Sequence, residues 1–503
     1  MSELSFRPGR NCWRVADARC FSFIIDGQDY FRALRQAFLG AERFALMVGW
    51  DFDFEIEMLP GESDDEGLAP DGFPNRVGPF LEALVEAREG LDIYLLKWSG
   101  GALVAPGRVL PGAKMKLLAP GQIHLAFDGR HPIGACHHQK IAVFDDSLAF
   151  CGGIDMTDGR WDRPAHRHED PRRLSRDGTP APPWHDASAV ISGPAAAELS
   201  RLARERWLRA NDEPLRETFS PGADLWPKSI SPDLSDVPLA IARTEPPQSD
   251  QPTIAEIEQL YLDAIASAKE HIYLESQYFC ADSIARAIAR RLSEPDGPEI
   301  VLVNPIAAYG AIEDQAMHIT RSRMVRAMRE LDRHDRFRIL YPMNEAEDPI
   351  YVHAKICIVD DRLLRVGSSN LDRRSMGFDT ECDVAIAGDT PRSRDFIATL
   401  RNRLLAEHLG SEPSKVADVL AKTGSLIEVI ETLNPREGRG LRELPLRREN
   451  LIGALLADTR FFDPRYRRSA RARLGLTSRH VMLGAAAVVL AGGLFLRRRV
   501  RRP

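Results

Sequence analysis

The 503-residue chain has only seven cysteines, an odd number with no CxxC pair among them. That excludes a sequence-evident disulfide framework and a cysteine zinc site, and makes a reducing compartment the simple expectation. The first twenty residues, MSELSFRPGRNCWRVADARC, hold no apolar core of signal-peptide length, so export by that route is not expected. Acids are missing altogether from positions 464 to 503, where eleven arginines stand; with the whole chain at −6, the rest carries −17. A body that acidic argues against a general nucleic-acid binder, whose basic charge would cover the working face. What is present is ordinary for a globular chain of two or three domains: 44% apolar and 28% charged residues.

The basic tail contains VMLGAAAVVLAGGLFL, residues 481–496, flanked by Arg479 and by RRRVRR. At about 1.5 Å per residue this run reaches roughly 24 Å, short of a hydrocarbon core of about 30 Å unless Arg479 and His480 snorkel. It has no polar face, unlike an interfacial helix. The expectation is a membrane anchor over 480–497 and a membrane-associated protein with its catalytic body in the cytoplasm. Basic residues on both sides leave its orientation open.

The strongest feature is a duplication. HHQKIAVFDD at 137–146 and VHAKICIVDD at 352–361 share order and spacing, 215 residues apart. The first copy reads His138, Lys140 and Asp145, then Gly152, Gly153 and Asp155. In the second, His353, Lys355 and Asp360 precede Gly367, Ser368 and Asn370, with glycine fourteen positions after histidine in both. AFLGAERFALMVGWDF, ending at Phe52, aligns with AIASAKEHIYLESQYF, ending at Phe279, and Asp186 and Glu381 each stand seven residues before a glycine. One internal distance carried through several features signals a repeated structural unit. The chain then divides into a first repeat at 1–213, a linker at 214–252 too rich in proline for a helix or central strand, and a second repeat at 253–410. A helical basic extension follows at 411–479. The first repeat carries an insertion: Gly152 to Asp186 is 34 residues, against 14 from Gly367 to Glu381.

β-branched filler predicts strands over the HxK segments, with histidine and lysine on one face. Asp145 and Asp360 have the opposite parity and sit in Asp-Asp pairs that read as hairpin turns, so within the motif their expected role is support. Two histidines and two lysines converging on one pocket suit a phosphodiester: one imidazole attacks, the other donates a proton, and the lysines meet the charge that develops on phosphorus oxygens. The Gly-polar turns would offer backbone N–H groups and the side chains of Asp155, Ser368 and Asn370 to those oxygens at a helix start. Asp186 and Glu381 would orient the histidines. No metal or other cofactor is expected for this chemistry; a metal on His137 and His138, or on the loop of His166, His168 and His185, is the lesser alternative.

These motifs resemble the phospholipase D superfamily, with its duplicated HxKxxxxD followed by G-[GS]-x-[ND], over roughly residues 10–410. YLESQYF at 273–279, CGGIDMTDGRWD and PWHD look like the phosphatidylcholine-type enzymes. The resemblance implies an α/β fold of two fused pseudo-twofold repeats, a mixed sheet flanked by helices, with the site at their interface. It also implies a covalent phosphohistidine resolved by water or another alcohol, and a catalytic set of His138, Lys140, Asp145, His353, Lys355 and Asp360. By analogy His138 is the nucleophile and His353 the acid, an order the residues themselves leave open. Asp155 in place of asparagine makes the first turn the weaker phosphate binder.

The expected function is therefore phospholipase D hydrolysis or transphosphatidylation of a glycerophospholipid, with a complete pocket in one chain. Alternatives are a cardiolipin-synthase-like phosphatidyl transferase, a nuclease disfavoured by the acidic body, and a non-catalytic phospholipid-binding membrane protein.

Overall fold

The computed structural model describes residues 4–100, 121–215, 225–247, 252–308, 311–448, 457–459 and 463. In the first repeat the chain runs β1 (Arg14–Ile25), α1 (Asp26–Gly40), β2 (Phe44–Gly49), α2 (Val77–Ala87), β3 (Asp92–Trp98), β4 (Ile123–Asp128), β5 (Ile141–Phe144), β6 (Leu148–Gly152), β7 (Trp184–His185), β8 (Ala187–Ser192) and α3 (Pro194–Asn211). The second runs β9 (Leu234–Glu245), β10 (Ile254–Ala255), α4 (Glu256–Ser267), β11 (His271–Glu275), α5 (Asp282–Leu292), β12 (Glu299–Val303), α6 (Ala311–Leu331), β13 (Phe337–Met343), β14 (Tyr351–Val352), β15 (Ile356–Val359), β16 (Leu363–Gly367), β17 (Glu381–Ala387) and α7 (Pro391–Leu409). After it come α8 (Pro413–Thr423), α9 (Leu426–Leu433) and β18 (Gly440–Glu443).

All the strands except β7 and β14 join one sheet, in the order β18-β13-β12-β11-β15-β16-β17-β9-β1-β8-β6-β5-β2-β3-β4, with β10 on β9. Outward from the β1–β9 pair the two arms have matching connectivity, β8-β6-β5-β2-β3-β4 against β17-β16-β15-β11-β12-β13, so the pseudo-twofold passes between β1 and β9. Strand alternation sends Phe44, Leu46 and Val48 into the layer under α3 and α7, while Ala45 and Met47 pack with α1 and α2. On the second arm α4 and α5 cover the corresponding face. α7 starts on a capping box between Thr390 and Ser393 and stops at Gly410, whose φ is +60°.

Two expectations fail here. The segment 214–252 is not simply a surface linker, because Leu234–Glu245 is a central strand paired to β1 on one side and β17 on the other. It tolerates proline through register. Odd residues of β9 face β1, as Ile241 does in accepting from Trp13 N, so the missing N–H of Pro238 faces β17, whose pairing with β9 has stopped at Leu239. The extension after 410 is helical only through α8 and α9; Gly440–Glu443 then returns to the sheet beside β13. The expected anchor at 480–497 lies outside the described residues, among which no helix is long and apolar enough to cross a membrane.

Candidate active site

The HxK segments do not lie inside the strands they precede. β5 begins at Ile141 and β15 at Ile356, one residue after each lysine. Each segment pairs instead with the opposite repeat. His137 bridges Thr380 in parallel and His138 N donates to Thr380 O at 3.0 Å. β14 likewise pairs in parallel with β7, and His353 N donates to His185 O at 2.8 Å. The expectation of a simple strand face fails: these segments hydrogen-bond across the seam to the other repeat.

Each crossing brings a histidine to an acid of the other repeat. His353 Nδ1 is 2.7 Å from Asp186 Oδ2, and His138 Nδ1 is 3.0 and 3.1 Å from the two oxygens of Glu381. With Nδ1 engaged, Nε2 is the ring atom left for a substrate. Lys140 Nζ lies 3.1 Å from Asp155 Oδ2 and 3.0 Å from His138 O; Lys355 Nζ donates to His353 O. His138 keeps 15% of its side chain exposed and His353 7%, while Lys140 keeps 3% and Lys355 is buried. The histidines are thus the more accessible members of the group.

Burial, then the Lys140 and Lys355 charges, hold His138 well below the usual imidazole range; burial and Lys355 do the same to His353. The two acids differ. Burial alone would raise Asp186, yet the charge and hydrogen bond of His353, with the Lys355 charge, outweigh it and hold that carboxyl at about 2. Burial pushes Glu381 up to about 8, against hydroxyl bonds from Ser368 at 2.5 Å and Ser375 at 2.7 Å. Lys355, stripped of water, is pushed down to about 7.

Several expected site residues do other work. Asp145 and Asp360 are absent from the cluster: each sits in the hairpin turn with positive φ, and its carboxylate accepts three backbone N–H groups, from residues 42–44 and 269–271 respectively. Gly152 and Gly153 offer no N–H to a phosphate, since they donate to Lys140 O and Ala187 O, and Ser368 N donates to Cys382 O. No helix starts at either turn. Glycine is required at 152 and 367 for close packing: a Cβ there would lie 2.4 Å from Ser188 Cα and 2.5 Å from Asp383 Cα. Ser368 instead holds Glu381. Asn370 Oδ1 is buried with no hydrogen-bond partner, and Asp155 braces Lys140.

Residues missed by motif reasoning stand beside His353. The Trp184 indole stacks on Tyr351 at 4.6 Å and tilts against His353 at 5.1 Å, and the Arg160 guanidinium sits 3.9 Å over the Trp184 ring. Ser375 was also missed; its only sequence signal is its position between the second turn and Glu381. As for metals, His137 Nδ1 bonds Thr380 Oγ1 and its Nε2 lies 3.0 Å from Asp128 Oδ1, and among the described residues no third ligand joins it to His138.

A family described as "Cardiolipin synthase, PLD-like domain" matches residues 261–404, most of the second repeat. Curated relatives include "Phospholipase D A" of Dictyostelium discoideum, 25% identical over 77% of this chain, and "Phospholipase D1" of Saccharomyces cerevisiae, 24% identical over 80%. "Phospholipase D alpha 1" of Brassica oleracea var. capitata is 26% identical over 83%. The matching family and these relatives support the phospholipase D superfamily. The chain spans only 35% and 29% of the first two relatives and 66% of the third. A solved phosphatidylserine synthase of Haemophilus influenzae Rd KW20 superposes with TM-score 0.52 at 12% identity, covering 83% of this chain and 96% of that one, a likeness of fold that spans both repeats.

Proposed function

We propose that the protein is a phosphodiesterase of the phospholipase D type, acting at the headgroup phosphodiester of a glycerophospholipid. The observation that carries this reading is the crossed pairing: two HxK segments, each histidine held at Nδ1 by an acid from the opposite repeat, with two buried ammonium groups whose charges act on the imidazoles. That arrangement suits double displacement at phosphorus. His138 Nε2 attacks, the P–O bond to the headgroup alcohol breaks, and His353 gives its proton to that oxygen. Water then gives a proton to His353 and attacks phosphorus, the P–N bond breaks, and a phosphatidic acid leaves. The ionised Asp186 pulls His353 towards its protonated form, against the burial and Lys355 charge that lower it, while Glu381, held up by burial, exerts less of that pull on His138. Lys140 and Lys355 stabilise the oxygens as charge builds. The apolar run at 481–496 would tether the body to a bilayer and raise the effective substrate concentration.

The test is choline release from phosphatidylcholine vesicles by the full chain and by His138→Ala and His353→Ala. Both variants should lose activity, and only His353→Ala should retain acid-labile, base-stable phosphate on a histidine when stopped in the cold. Undiminished turnover in either variant would remove this mechanism. The description of the matching family favours a second product: with glycerol or another alcohol present, a phosphatidyl-alcohol should form in competition with phosphatidic acid.

A further inference from the structure

Behind the His353 arm lies a second constellation that the phosphodiester chemistry does not use. Asp26 at the start of α1, His166 in the long insertion of the first repeat, His185 on β7 and Glu407 on α7 converge, with their donor atoms all within 4.8 Å of one another. Asp26, His166 and His185 are fully buried, and Glu407 keeps 6% of its side chain exposed.

The contacts suit a shared cation better than pairwise hydrogen bonds. His166 Nε2 straddles two oxygens, Asp26 Oδ2 at 3.3 Å and Glu407 Oε1 at 3.1 Å. His185 Nδ1 likewise lies 3.1 Å from Asp26 Oδ1 and 3.0 Å from Glu407 Oε1 but makes an acceptable hydrogen bond with neither; Asp26 Oδ2 also has no hydrogen-bond partner. Donors held roughly 2.0–2.1 Å from a tetrahedral ion stand about 3.3 Å apart; the four imidazole–carboxylate distances here are 3.0–3.3 Å, and all the donor atoms lie within 4.8 Å of one another.

The outer atoms of the two imidazoles agree. His166 Nδ1 is 2.9 Å from Asp162 Oδ2, a carboxylate fixed by Arg173 and Trp184 N, and His185 Nε2 is 2.7 Å from Glu275 Oε2, a carboxylate fixed by Tyr273 and His408. Metal-ligating histidines almost always bond a carboxylate or carbonyl through their second nitrogen in this way. The two inner carboxylates also place negative charge where water cannot reach, which needs compensation.

We propose that Asp26, His166, His185 and Glu407 form a structural site for one divalent first-row cation, zinc first among them given two nitrogen and two oxygen donors. The ion joins the insertion of the first repeat to α7 of the second. It also braces the catalytic arm: Asp186 N donates to Asp26 Oδ1, Asp26 N donates to Asp186 O, and His353 N and Ala354 N both donate to His185 O.

The test is the metal content of the full-length protein, purified from zinc-supplemented cells and dialysed against metal-free buffer, so it is independent of any phospholipase assay. The expected result is one zinc per chain by elemental mass spectrometry. Chelation should lower the thermal midpoint, added Zn2+ should restore it, and Co2+ in its place should give visible d–d absorption. The conservative variants Glu407→Gln and His166→Gln should fall from one equivalent towards background. Background metal in the unmutated protein, before and after incubation with Zn2+ and Co2+, with an unmoved midpoint, would overturn the proposal in favour of a proton-filled network. Full metal retention by both variants would overturn this ligand set.

Discussion

Asp186 Oδ2 stands 2.7 Å from His353 Nδ1 across the seam between the repeats, so the acid seven residues before the glycine of one repeat meets the histidine of the other. Asp186→Asn keeps the size and the Ala187 N contact but removes the charge that favours protonated His353. The expected outcome is a kcat lower by roughly 10²–10⁴-fold with little change in KM or thermal midpoint. Steady-state kinetics on vesicles and a melting curve check it; equal kcat in the two proteins would exclude the orienting role.

Gly153 tests the same pair from behind. A Cβ at that position would lie 2.2 Å from Asp186 Oδ1 and 3.3 Å from His353 O, so Gly153→Ala must displace the acid. A misplacement of about 1 Å can cost on the order of a hundredfold in rate. Turnover should fall towards that figure, with the circular dichroism spectrum unchanged.

Asp145 and Asp360 should behave as folding residues. Asp145→Ala leaves three N–H groups without acceptors, one of them fully buried; at about 1–3 kcal/mol for each unsatisfied buried donor, a loss of about 3 kcal/mol is expected. Asp360→Ala frees donors that are more exposed and should cost less. Urea titration gives both values, and the folded fraction of each variant should retain its specific activity.

The pH profile should carry the mark of Lys355. Burial pushes its ammonium down to about 7 from 10.5, so the free enzyme loses this cation as pH rises past neutrality, and kcat/KM should fall on the alkaline side with a midpoint near 7. An anionic substrate holds the proton on, which places the alkaline limb of kcat at higher pH. Lys355→Arg, always charged, should abolish that limb. The stability effect has the opposite direction. Between about 7 and 10.5 the unfolded chain binds more protons at this position than the folded one, so this residue's contribution to stability grows with pH across that window.

Much of this protein was determined by local sequence. His138-x-Lys140 and His353-x-Lys355, their common spacing and the downstream acids pointed to two repeats and to a phosphodiester chemistry, because motif spacing is a property of the chain itself. The Asp-Asp hairpin turns were legible for the same reason: positive φ at consecutive residues has a local composition signal. Only the tertiary structure decided that Asp186 serves His353 and Glu381 serves His138, that the turn amides of Gly153 and Ser368 are spent on the sheet, and that a proline-containing segment supplies the central strand β9. Each of these depends on which backbone groups meet across hundreds of residues, and burial sets both the pairing and the resulting charge state. Residue spacing along one repeat contains no record of the seam with the other.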